Sequence, residues 1–324
     1  MAANTSPDQD MLLDFRTTVV YDIVPPPLVP HFLHLFDAET PGNPVLVWAA
    51  IALVADSPRW AATPVDSNVI NNLAACQEHL DFDDDENAMT CLVFVLIHSP
   101  LLLALAKKAT DDNLAFDLTK ALITIREYRH ILRKFTTIYK NDEHAGPLVT
   151  ALDLPGHVAT QPTISTLPPV LAVRNLIDIV GANQWGNNTA ACKTYARNAI
   201  EQVYRLDDNR VRAAAGENLN IDKEILQWMV LIGRPPANFQ AELMNSHLWV
   251  LILCHWATVC AQRQTVWYFT GFAGRLFNKF WSENESGNQG EEWSNLKAAV
   301  VRVIFGLGGP VPTQYAGARV DPSR

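Results

Sequence analysis

The chain has 324 residues, of which 48% are hydrophobic and 18% charged, with a net charge of −9; this is globular composition and argues against a disordered chain. The acidic balance and the lack of a basic run argue against direct nucleic-acid binding, because phosphate affinity rests on clustered Lys and Arg. Nine tryptophans supply large rings for a thick core or an aromatic-lined cavity.

Residues 1–10, MAANTSPDQD, are polar and read as a disordered end. They lack the basic-then-apolar order of a secretory signal, so an intracellular, cytoplasmic or nuclear location is expected. From Met11 the apolar positions Leu12, Phe15, Val19 and Ile23 follow helical spacing until Pro25-Pro26-Pro27. Further helices are expected from Pro30 and from Pro44, each with proline in its first turn. Val65 to Leu80 is a weaker candidate, and the acidic link from Asp81 to Asn87 caps the helix that follows. That next stretch, from Ala88, is strongly apolar, with a kink or break expected at Ser99-Pro100. Asp111 to Tyr139 reads as one long amphipathic helix with Leu118, Leu122, Ile125, Tyr128 or Arg129, and Leu132 on its stripe.

The stretch 141–169 is rich in Pro, Gly and Thr and reads as an internal linker or lid. Helices are expected again from Val170 and through Ala191, Tyr195, Ala199 and Val203, then from Ile221 to Gly233. Leu248 to Ala261 is apolar nearly all round, as a helix enclosed by neighbours requires. Its apolar run ends at Gln262-Arg263-Gln264 and contains His255, short of the ~18 residues of a membrane span, so no membrane span is expected. Aromatics continue from Trp267 to Trp281, broken by Gly271 and Gly274, which suggest a bend or close helix contact. A last helix, Glu291 to Leu307, ends in Gly and Pro ahead of a polar tail over 311–324. No alternating pattern runs to useful length, so the expected class is all-α: a single large multi-helix domain over 11–310.

Several constellations carry chemistry in other proteins. Asp83-Asp84-Asp85-Glu86 resembles the Mg²⁺-binding motif of class I terpene synthases, but no second metal motif follows, and a solvated helix cap is the plainer reading. Arg126, Arg129, His130 and Arg133 form a basic strip that reads as an ion-paired face or an anion site. His31 and His34 are neighbours on one helix face with no i, i+4 partner, so no metal site is read there. His255 reads either as a satisfied core residue or as a polar ligand contact. Cys76, Cys91, Cys192, Cys254 and Cys260 are scattered without a CxxC, the usage of reduced thiols rather than zinc ligands. No nucleophile elbow, P-loop or dinucleotide fingerprint occurs, and no cofactor is expected.

In order, Trp228, Pro235 to Phe239, LILCHWA at 251–257, Arg263, Trp267, GFAGRL at 271–276 and Trp293 form a spaced pattern. It resembles the C-terminal half of the ligand-sensing domain of fungal zinc-cluster transcription factors of the sterol uptake control type. The helix from Tyr195 fits the Tyr-containing helix of that family. The resemblance implies an all-α domain with an apolar cavity among its C-terminal helices, possible homodimers, and a hydrophobic ligand such as a sterol, terpenoid or polyketide. The family's six-cysteine DNA-binding module is missing from this sequence. Trp228, Phe239, Trp249, His255, Trp256, Gln264, Trp267, Tyr268 and Phe272 are the candidate ligand contacts. A cofactor-free cyclase or isomerase using the same cavity is the alternative, with His255, Tyr268, Arg263 and Gln264 as its candidate polar groups.

Overall fold

The computed structural model describes residues 7–60, 67–152, 164–185, 189–214, 246–261 and 267–283, and the description below is of these. They are all-α, with no strand among them, as the periodicity requires. The first helix begins at Pro7, so residues 7–10 of the polar end are helical: α1 (Pro7–Asp14) passes through a π turn, Phe15–Val19, into α2 (Val20–Ile23). The expected stripe is enclosed, with Phe15, Val19 and Ile23 buried and Leu12 half-buried. Next come α3 (Val29–Glu39), α4 (Pro44–Ala55) and α5 (Ser67–Gln77). In α3 and α4 proline sits in the first turn, where its missing N–H costs no helix hydrogen bond.

Helix α6 (Ala88–Lys107) is the axis of the N-terminal half, packed by α2, α3, α4 and α7. Of the kink or break expected at Ser99-Pro100, the break does not occur: one helix continues from Ala88 to Lys107 with Pro100 inside it. Burial of Leu96, Ile97, Leu101 and Leu103 on all sides holds the helix across the lost donor, and Ser99 Oγ donates to the Val95 carbonyl at 2.7 Å. The segment Asp85–Lys107 is long and apolar enough to cross a membrane, yet 83% of its most apolar window is buried inside the protein, as in the core helix of a soluble fold. Helix α7 (Asp111–Tyr139) follows with Leu118, Leu122, Ile125 and Tyr128 inward.

The Pro, Gly and Thr-rich stretch is not all loop. Helix α8 (Ala145–Leu152) lies in it, buries Leu148 and Val149, and packs on α7 and α3. Its start demands glycine: a Cβ on Gly146 would stand 2.8 Å from the Lys140 carbonyl oxygen.

The C-terminal half is built on α9 (Pro168–Trp185), α10 (Thr189–Ala214), α11 (His247–Ala261) and α12 (Phe272–Glu283). Leu248 to Ala257 are buried without exception, so this part of α11 is enclosed all round, as its sequence requires. The bend expected at the glycines is at Gly271, whose φ of 90° belongs to the left-handed region that a side chain disfavours. It turns the short 3₁₀ segment Trp267–Phe269 into α12.

Several side chains tie the halves together, Arg275, Lys107 and Trp249 among them. Arg275 of α12 donates to the Lys107 and Ala109 carbonyls at 2.7 and 2.5 Å and to Asp111 Oδ1 at 2.6 Å, capping the end of α6 beside the start of α7. Lys107 Nζ donates to the Trp267 carbonyl at 3.0 Å. Trp249 Nε1 donates to Thr119 Oγ1 of α7 at 2.8 Å.

Candidate functional site

The candidate ligand contacts among the described residues fall into three neighbouring environments. Trp249, Trp256, Tyr268, Phe272 and His255 are completely enclosed and Trp267 half-buried. Trp228, Phe239, Arg263, Gln264 and Trp293 lie outside the described residues.

The first environment is aromatic. Trp256 meets Phe269 edge-on with centroids 5.9 Å apart and Phe272 at 6.3 Å, and Tyr268 packs on Phe269 at 4.9 Å and on Trp267 at 5.6 Å. Offset and edge contacts of this kind are the favourable arrangements of ring quadrupoles. The Tyr268 hydroxyl donates to the Asp22 carbonyl at 2.9 Å, so it is spent on a structural tie to α2. Trp267 lies against the Asp22 carboxyl, which burial holds above the usual carboxylate range.

The second environment is the joint with α7. Trp249 stacks obliquely on Tyr195 at 5.4 Å, and its indole N–H is used by Thr119, whose own hydroxyl donates to the Ala115 carbonyl at 2.6 Å. The Trp249 indole N–H and the Thr119 hydroxyl are thus both partnered, which is what buried polar groups need to be stable.

The third is His255 with Tyr204 of α10. The Tyr204 hydroxyl lies 2.7 Å from His255 Nδ1, with both residues buried. Burial pushes the imidazole down to a pKa of about 4, so it is neutral at pH 7. His255 Nε2 is enclosed and has no hydrogen-bond partner among the described residues. Whichever of Nδ1 and the hydroxyl supplies the shared proton, Nε2 retains an unused donor or acceptor. Leaving such a group unpaired costs ~1–3 kcal/mol.

Tyr204, Thr119 and Tyr195 were not among the sequence candidates. The only local signal for Tyr204 is its place on the inner face of the helix that starts before Tyr195, two turns past it.

The other constellations resolve plainly. Asp84 accepts from the Glu86 N–H at 3.0 Å and caps the turn before α6, while Lys134 bonds the Asp83 carbonyl and Asp85 at 2.8 Å each. Of the basic strip, Arg126 is half-buried and acts electrostatically on Tyr195, and the side chains of Arg129, His130 and Arg133 lie outside the description. Cys76, Cys91, Cys192 and Cys254 form no disulfide among the described residues, and the side chain of Cys260 lies outside them. Burial pushes Cys91 up to about 12 and raises Cys254 as well, which leaves both as inert thiols.

Compared with known proteins, the chain matches no family model, no curated sequence and no solved structure.

Proposed function

We propose that the chain binds a hydrophobic small molecule with a single polar group, of the sterol, terpenoid or polyketide kind. It would be an effector domain of the transcription-factor type, in an intracellular, cytoplasmic or nuclear setting. The observation that carries this reading is the His255 Nε2, which has no partner among the described residues and belongs to a neutral imidazole enclosed among apolar helices. A ligand hydroxyl or carbonyl there gains a desolvated hydrogen bond, while its apolar body gains burial against rings such as Trp256 and Phe272. The spaced pattern from Trp228 to Trp293 supports the same reading. Homodimer formation belongs with it, and Leu171 and Ile179, exposed on α9 about two turns apart, are compatible with a self-contact.

The test is native mass spectrometry of the full chain with cholesterol, ergosterol and farnesol as probes. One of them should be retained at one molecule per chain, unchanged, and His255→Leu should weaken retention about tenfold, the value of one buried hydrogen bond to a ligand. Equal retention by wild type and His255→Leu, or none by either, would overturn the reading.

The His255 and Tyr204 pair also favours a second reading. A neutral imidazole bonded to a phenol in a dry core can pass a proton between two points of a bound substrate, as a cofactor-free isomerase or cyclase requires. In the same experiment, a probe or extract component replaced by an isomer of equal mass selects this reading over the binding protein.

A further inference from the structure

His31 and His34 stand one turn apart on α3, and the fold brings a third imidazole to them from 110 residues further along the chain. His144 precedes α8, and its ring stacks on His34 with centroids 3.6 Å apart and lies 5.7 Å from His31. Its backbone is fixed, because Asp142 Oδ1 accepts from the N–H groups of His144 at 2.9 Å and Ala145 at 2.7 Å, and α8 packs on α3. His31 Nδ1 and His144 Nδ1 are enclosed and have no hydrogen-bond partner among the described residues. The cluster is nevertheless reachable, since His34 is exposed and the other two are half-buried.

We infer that His31, His34 and His144 form a binding site for a divalent transition-metal ion of the zinc class. Three imidazoles are a familiar donor set for such ions and leave a fourth position for water. With nitrogen 2.0–2.1 Å from the metal, ring centroids of two tetrahedral ligands stand ~5 Å apart. The 5.7 Å between His31 and His144 is close to this spacing, while the 3.6 Å stack of His34 on His144 is too tight. As it stands, no group of three His, Cys, Asp or Glu among the described residues is arranged to hold a metal. The required change is rotation of His34 out of the stack, a side-chain movement at an exposed position that leaves both backbones in place. The ion would satisfy the two unused nitrogens and clamp the start of α8 to α3.

The full chain would be titrated with Zn²⁺ in competition with a chromophoric chelator. One ion per chain is expected, with His34→Ala and His144→Ala each binding about tenfold or more weakly and the exposed His79→Ala serving as a control that binds like wild type. Zn²⁺ should also raise the melting temperature of wild type and not of His34→Ala, since ligand that binds only the folded state stabilises it. His34 is exposed, so loss of fold does not confuse that variant. Binding that is equal in wild type and His34→Ala, including binding taken by thiols, or no stoichiometric binding at all, overturns the inference.

Discussion

Two halves of this protein use the same buried pair in different ways. Around α6, the His98 Nδ1 lies 2.7 Å from the Tyr128 hydroxyl, with the His98 ring stacked on Phe94 at 4.6 Å. Around α11, His255 and Tyr204 repeat the arrangement at the same distance. In both, burial pushes the imidazole down to a pKa of about 4. The difference lies at the other nitrogen, because of these two histidines only His255 leaves an enclosed ring nitrogen unpartnered among the described residues. A His and Tyr pair in an apolar core is thus a way of locking two helices together, and its spare atom is what distinguishes a candidate ligand contact from a structural tie.

The largest expected effect separates the pairs by pH. Each imidazole binds its proton near pH 6.5 when unfolded and near pH 4 when folded, so the unfolded chain carries more protons between those values. Stability is therefore full above pH 6.5 and falls as the pH drops toward 4, by about 3 kcal/mol for each histidine. Asp22 and Asp56, whose carboxyls burial raises, act in the opposite sense at the acid end. Urea unfolding between pH 7 and 4.5 should show this loss in wild type and about half of it in either His98→Gln or His255→Gln. If His255→Gln keeps the whole dependence, water reaches the α11 pair and the two cores are not equivalent in dryness.

Next in size is the joint between the halves. Trp249→Phe removes the bond to Thr119 and some ring volume at a fully enclosed position, and should cost about 1–3 kcal/mol in urea unfolding. Because Trp249 touches α7 as well as α10, tryptophan fluorescence and helical circular dichroism should still report one coincident transition. Two separated transitions would mean that the halves are joined more weakly than these contacts require.

The helix boundaries were legible where a local rule sets them. Prolines at Pro30 and Pro44 mark first turns, and Asp111 to Tyr139 carries one uninterrupted stripe, so α3, α4 and α7 fall where their residues put them. The π turn at Phe15–Val19, the continuity of α6 through Pro100 and the helix at Ala145–Leu152 were not legible, because packing by distant elements decides each. The candidate site shows the same limit. His255 stands out by being polar in an apolar run, but its partner Tyr204 is 51 residues away and unmarked by any motif. Likewise His31 and His34 are visible as a pair, and only the docking of α8 on α3 supplies His144.

The smallest difference to be resolved is the sharpest comparison, between removal of one hydroxyl from each pair. Tyr128→Phe leaves His98 Nδ1 without its partner, but His98 keeps a little exposure, 5% against 0% for His255, and water can take part of the loss. Tyr204→Phe leaves His255 with neither nitrogen partnered among the described residues in a fully closed setting. Both should destabilise by roughly 1–3 kcal/mol, with Tyr204→Phe toward the upper end. Urea midpoints measured in parallel decide the order. A larger loss for Tyr128→Phe would mean that the imidazole at α11 already has a partner from elsewhere in the chain, which would remove the spare atom on which the ligand-binding proposal stands.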